Sequence, residues 1–407
     1  MRIAVWHNLP SGGGKRALYD HVRGLVARGH KVEAWCPPTA DRKYLPLTDL
    51  APEHVVELEW PAPYRRKGQR GVSFGVDRAL GAMDDHCQRC AAQIEAGGFD
   101  ILFANSCMFF RTTQIGRHVD LPSVLYLQEP YRWLYEALPQ FRWLAPPPGS
   151  HSLWRPSTWR AALFDWYHTR NARIQVREEL NNAAAFTRIL VNSSFSRESV
   201  LRAYGLNSDV CYLGIDTDHF VDMRLAKADF IVGLGSITRE KNLRLCIEAI
   251  GALSAPRPKL LWIANVSNPH YLAEMRALAE SLQVHFEPKV GVTDAELLDT
   301  LNRAIAMVYA PRLEPFGLAP LEANACGVPV IAVAEGGVRE TIVDELNGLL
   351  VEHEPVAMAA AIERLRSDPA LARRLGANGR RAVEAKWGLN SAIDRLEGRL
   401  ARYARRS

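Results

Sequence analysis

The chain has 407 residues, 48% hydrophobic and 23% charged, the balance of an ordinary globular fold rather than a fibrous or disordered one. Lysine and arginine total 50 against 45 acidic residues, and a net charge of +5 is too small an excess over this length to point to nucleic acid. The longest apolar runs are strand-sized, as at Ile231 to Leu234, so no membrane-spanning helix is expected.

The N-terminus enters a strand over Arg2 to His7 without the charged and apolar pattern of a secretion signal. A helix over Gly14 to Arg28 follows, with Leu18, Val22, Leu25 and Val26 on one face; Gly29 ends it, and Lys31 to Cys36 is the next strand. Further strands are expected over Asp100 to Asn105, Ser123 to Gln128 and Arg188 to Asn192, the last followed by Ser193 as N-cap of a helix reaching Tyr204. This rhythm predicts a parallel sheet covered on both faces. It breaks between Gln128 and Arg188, where the run Pro146-Pro-Pro-Gly-Ser150 and five of the ten tryptophans (Trp133, Trp143, Trp154, Trp159, Trp166) fall; the stretch reads as an insertion beside a cleft or as a small helical subdomain.

The alternation restarts in the second half. Strands are expected over Phe230 to Gly235, Lys259 to Ala264, Ala306 to Ala310, Val330 to Val333 and Leu349 to Val351, with helices over Glu240 to Leu253 and His270 to Leu282. Helices dominate after Pro355, and Trp387 marks a break before a last helix over Asn390 to Arg405. The division expected is an N-terminal unit over 1–212 with its aromatic insertion at about 130–185, a C-terminal unit over 213–387 and a terminal helix over 388–407 returning to the first unit. The fold class is α/β: two Rossmann-like, doubly wound parallel sheets facing a cleft.

Seven scattered cysteines fit reduced thiols and a cytoplasmic location. Cys87-Gln-Arg-Cys90 lacks a second ligand pair at zinc spacing. The basic clusters Arg65-Arg66-Lys67 with Arg70, and Arg402, Arg405 and Arg406, are either solvated faces or points that attract a phosphorylated acceptor or anionic lipid at the inner face of a membrane.

Ser11-Gly-Gly-Gly-Lys15 follows the first strand. It is no P-loop, because Leu9 and Arg16 occupy positions that motif gives to Gly and to Ser or Thr; what remains is a tight turn, or close approach of backbone to an anionic ligand at a helix N-terminus. Glu314-Pro-Phe-Gly-Leu-Ala-Pro-Leu-Glu322 sets two carboxylates eight residues apart, the first in a loop and the second in a helix starting near Gly317. Amides of Gly317 and Leu318 at that helix end suit a phosphate, and the carboxylates suit sugar hydroxyls.

This run, with Gly336-Gly337, Asn347-Gly348, Gly13-Gly14, Arg28-Gly29-His30 and Gly214-Ile215-Asp216, resembles the retaining nucleotide-sugar glycosyltransferases of family four, which have the two-domain GT-B fold. The resemblance implies hexose transfer from a nucleoside diphosphate sugar, with no separate cofactor and no metal, to a glycan, a lipid-linked saccharide or a small molecule. It implies that Glu314 binds the donor sugar, that Glu322 binds the ribose, and that the amides of Phe316, Gly317 and Leu318 approach sugar or diphosphate with Gly13 and Gly14. Base contacts are implied near Val290, through backbone. Lys241 matches the lysine that neutralises the leaving diphosphate. Ser236 stands where relatives carry an arginine, and Arg239 is a candidate to supply that charge; Gln128 stands where they carry a histidine. Tyr131, Arg132 and Trp133 resemble an acceptor-side segment of a mannosyltransferase-like branch. Asp216-Thr-Asp218 matches the linker pattern of these enzymes rather than a metal site. Three other readings stay open: a phosphorylase or sugar-phosphate synthase, a catalytically silent sugar-nucleotide-binding protein, and a membrane scaffold.

Overall fold

The computed structural model describes residues 1–59, 76–138 and 156–405. Arg65, Arg66, Lys67, Arg70, Arg406, Trp143, Trp154 and the Pro146 to Ser150 run lie outside the described residues. Two compact units are present, the first comprising Met1–Val191, Arg197–Val210 and the chain from Leu396 onward, the second Asn192–Ser196 and Cys211–Arg395.

The first unit runs β1 (Arg2–Asn8), α1 (Gly13–Ala27), β2 (Lys31–Cys36), β3 (Glu53–Val55), α2 (Val76–Ala96), β4 (Ile101–Cys107), β5 (Ser123–Tyr126), α3 (Arg132–Tyr135), α4 (Pro156–Ala184), β6 (Arg188–Val191), α5 (Ser194–Tyr204) and β7 (Asp209–Val210). Its seven strands lie in the order β3-β2-β1-β4-β5-β6-β7, all pairings parallel. Six of the seven residues of β1 and all of β4 are buried, as central strands covered on both faces require. Ser193 caps α5 as expected, its hydroxyl accepting from the Ser196 amide at 2.9 Å.

The second unit runs β8 (Phe230–Leu234), α6 (Leu243–Gly251), β9 (Lys259–Ala264), α7 (Pro269–Ser281), β10 (Phe286–Val290), α8 (Asp294–Arg303), β11 (Ala306–Tyr309), α9 (Leu318–Ala325), β12 (Val330–Val333), α10 (Val338–Thr341), β13 (Gly348–Val351), α11 (Pro355–Ser367) and α12 (Pro369–Ala382). Its six strands lie in the order β10-β9-β8-β11-β12-β13, again all parallel. A π-helical turn over Val383–Trp387 precedes the last helix, α13 (Leu389–Tyr403). Within the first unit Glu397 of α13 accepts from Arg28 Nη1 at 2.6 Å and lies 2.8 Å from His30 Nε2, while Leu396 and Leu400 are fully buried.

In each sheet the chain reverses its direction of travel once, between β1 and β4 in the first and between β8 and β11 in the second. Loops leaving the carboxyl ends of such strand pairs diverge and leave a crevice where ligands bind in open α/β sheets. Ser11 to Lys15 follows β1, the Lys241 segment follows β8 and the Glu314 segment follows β11, whereas Gln128 follows β5 and Val290 ends β10.

Candidate functional site

In the second unit the loop after β8 carries Ser236, Arg239 and Lys241, and the loop after β11 carries Glu314, Phe316 and Gly317. Because β8 and β11 are neighbours, the two loops meet: Lys241 Nζ donates to Glu314 Oε2 at 2.8 Å. Asn242 fixes the lysine's turn. It takes a left-handed backbone (φ 52°) as N-cap of α6, and its Nδ2 donates to the carbonyl of Ala310, at the carboxyl end of β11, at 3.2 Å. Asparagine tolerates that conformation better than most residues, which is the local signal that would have marked it.

The Glu314 loop is held from its other side by backbone. Gly337 N donates to Glu314 O at 2.7 Å. A Cβ on Gly336 would collide with the backbone of Glu314, and one on Gly337 with the carbonyl of Pro315, so the pair of glycines is required by close approach. The Phe316 ring is buried, 5.7 Å from Trp387 between centroids, which leaves that residue's backbone for the loop face. Gly317 is left-handed (φ 88°) and caps α9; Leu318 begins the helix and Glu322 is buried one turn in.

The remaining predicted residues of this unit are dispersed. Ser236 Oγ lies 3.4 Å from Thr238 Oγ1. Arg239 donates to Glu274 at 2.6 Å and stacks over Tyr271, so its guanidinium is committed to α7 rather than to the Lys241 and Glu314 pair. Val290 ends β10 and is half exposed. Asp216 accepts from the amides of Asp218 and His219, a turn that uses its carboxylate structurally.

In the first unit Gly13 and Gly14 open α1, and Gln128 follows β5. A Cβ on Gly14 would sit 2.8 Å from Gln128 Nε2 and 3.0 Å from Oε1, so two residues singled out for separate reasons touch. Tyr131 caps α3, and Trp133 lies within it. Arg132 donates to Glu129 at 2.6 Å and lies 3.8 Å from Glu136. Arg111 also contacts Glu129, at 3.4 Å, and Glu179 of α4 accepts from the amides of Arg111 and Thr112 and from the Tyr204 hydroxyl; burial outweighs these bonds and pushes its carboxyl up to about 7.

A buried group beside the glycine turn escaped the sequence reading. His7, Cys36 and Glu53 offer ligand atoms within 4.8 Å of one another. Burial would raise the Glu53 carboxyl, but hydrogen bonds from His7 and Arg42 hold it at about 2. Burial pushes the Cys36 thiol up to about 12 and lowers Lys15, whose buried Nζ has no hydrogen-bond partner. With Arg42 on one carboxylate oxygen and Lys15 close by, a divalent cation would join two positive charges, so these residues do not fit a metal. His7 and Lys15 flank the same turn between β1 and α1, but Glu53 comes from β3, and its meeting with them had no local signal.

Residues 215–382 match the glycosyl transferases group 1 family, and residues 11–219, half the chain, match glycosyltransferase family 4. The chain belongs to glycosyltransferase family 4. An alpha-1,3/1,6-mannosyltransferase of Mus musculus is 29% identical to this family 4 chain over 51% of its length and 57% of its own, so the chain spans little more than half the length of the curated relatives it first matches. Sucrose-phosphate synthase from Thermosynechococcus elongatus, at 20% identity, superimposes over 98% of both chains with a TM-score of 0.72. Anabaena HepE, solved with UDP and glucose, does so at 17% identity over 99% of this chain and 100% of its own, with a TM-score of 0.69. At these identities the likeness is one of fold, and it bears out the expected GT-B class: two α/β units, each on a parallel sheet.

Proposed function

We propose that the chain is a retaining glycosyltransferase that moves a hexose from a nucleoside diphosphate sugar to an acceptor hydroxyl. The observation that carries this reading is the contact of Lys241 with Glu314 at the strand reversal of the second sheet, next to the amide end of α9. An ammonium has three donors; one rests on Glu314 and two remain for diphosphate oxygens. That charge and the positive end of α9 would stabilise the departing diphosphate as the sugar C1–O bond breaks, with no metal required for the purpose.

In this reading the Glu314 carboxylate also accepts from donor sugar hydroxyls, Glu322 accepts from the ribose, and Val290 and Ser236 border the nucleotide. The acceptor oxygen attacks C1 from the face the phosphate leaves, and its proton passes to the departing phosphate oxygen. Gln128, beside Gly14, orients a sugar hydroxyl and neither titrates nor carries charge; because the departing phosphate takes the acceptor proton, its replacement of histidine is compatible with transfer. Arg132, clasped by Glu129 and Glu136, is the fixed cation on the acceptor side, flanked by Tyr131 and Trp133. Arg239 contributes field rather than contact. The mannosyl name of one relative and the UDP and glucose bound to the Anabaena protein support a hexose on a nucleoside diphosphate. The acceptor class proposed is a glycan, lipid-linked saccharide or small metabolite, and the seven scattered, buried cysteines support a cytoplasmic location.

The test is a thermal-shift panel of UDP, GDP, ADP and dTDP sugars, followed by product analysis with the donor that stabilises the chain. Turnover with retained anomeric configuration, lost in Glu314→Ala, is expected. Inorganic phosphate acting as acceptor would instead indicate a phosphorylase, and absence of turnover with every stabilising donor would indicate a binding protein.

A further inference from the structure

Among the described residues, no helix is long and apolar enough to cross a membrane. One carries an unusual exterior. In α4, Trp159, Leu163 and Trp166 are 65%, 65% and 61% exposed. Steps of four and three residues keep them on one side of a helix with 3.6 residues per turn. The same steps continue through Arg170, Arg173 and Arg177, so one line along α4 is apolar in its first turns and basic in its later ones. Arg173 and Arg177 are exposed, Arg177 shares a charge contact with the adjacent Glu178, and Arg170 is held toward α2 by Asp77 at 2.9 Å.

Single exposed apolar residues need no explanation, but three in line form a patch, and two are tryptophans. Indole rings favour the boundary between lipid headgroups and acyl chains, where the ring is buried and its N–H stays hydrated. We propose that this line of α4 rests on an anionic lipid bilayer, with Trp159, Leu163 and Trp166 at the acyl boundary and the exposed Arg173 and Arg177 on headgroup phosphates. Charge selects this occupant: a second copy laid parallel would set the arginines against each other, whereas anionic headgroups satisfy them. The proposal is independent of the catalytic reading.

Co-sedimentation of the full chain with phosphatidylcholine vesicles, with and without phosphatidylglycerol, tests it. Binding about tenfold tighter to the anionic vesicles is expected, on the scale set by one or two basic contacts. Trp159→Ser with Trp166→Ser should weaken binding to both vesicle types by about tenfold or more, and Arg173→Gln with Arg177→Gln should remove the anionic preference; exposed substitutions of this kind leave the melting temperature unchanged. Absence of vesicle binding at low salt, or binding indifferent to both double variants, would overturn the proposal. So would a dimer in light scattering that the tryptophan variant dissolves.

Discussion

The ammonium of Lys241 rests 2.8 Å from the carboxylate of Glu314 across 73 positions of chain, because the neighbouring strands β8 and β11 release their loops side by side. Both side chains are partly exposed, so the pair contributes only about 0–1 kcal/mol to folding. Its value would lie in turnover. Glu314→Gln and Lys241→Ala should each lower kcat by about 100-fold or more with little change in melting temperature, as loss of a preorganised charge does. A melting temperature that collapses while residual kcat stays near wild type would refute that assignment.

Gly14 and Gln128 give a coupled pair. A methyl on Gly14 meets the far end of a flexible side chain, so Gly14→Ala should cost about 1 kcal/mol or less in stability while displacing the glutamine amide. Gly14→Ala with Gln128→Ala should then be no worse in kcat/KM than Gln128→Ala alone, a non-additivity that a double-mutant cycle reads directly. Additive losses would mean the contact has no part in transfer.

Gly337 offers the opposite case. Its added methyl would meet the carbonyl of Pro315, which has no rotamer to yield. Gly337→Ala should destabilise the chain by about 1–3 kcal/mol, measured by chemical denaturation, and misplace Glu314.

Two carboxylates set opposite pH dependences. Glu179, raised to about 7 by burial, stays protonated in the folded chain while the unfolded chain ionises near 4.5, so its contribution to stability falls as pH rises from 4.5 to 7 and is constant above. The full change is on the order of 3 kcal/mol. Glu53, held at about 2 by His7 and Arg42, stabilises above 4.5 and loses that contribution as pH falls toward 2. Melting temperature against pH should show both slopes, and Glu179→Gln should remove only the upper one.

Ending the chain before Leu396 removes two fully buried leucines and the partner of Arg28 and His30. A loss of about 3–6 kcal/mol is expected from the leucines. Glu397→Gln should cost about 1 kcal/mol or less, since that pair is partly exposed.

The central strands were legible because short continuous apolar runs, such as residues 101–104 at the start of β4, suit burial on both faces. The strands that escaped, β3, β7 and β10, lie at sheet edges, where two or three residues suffice and Pro288 and alternating charges are tolerated. The stretch holding Pro156–Ala184 was open to a helical reading, but the helix's extent was not legible, because its exposed tryptophans lack the single buried stripe that marks an amphipathic helix. In the candidate site, spacing located Glu314, Glu322 and Gly317. It could not give the bond between Lys241 and Glu314, the anchoring by Asn242 or the diversion of Arg239 to Glu274, which depend on which strands are neighbours and which helix lies alongside.

The seat of Glu314 is moulded by Gly336 and Gly337, main chain against main chain. The main chain of Glu314 is therefore fixed by two residues that have no side chain of their own, and its carboxylate by Lys241. If the acid binds the donor sugar as proposed, changes beside it are limited by the backbone: Leu313 is itself left-handed (φ 49°), and the two glycines allow no latitude at all.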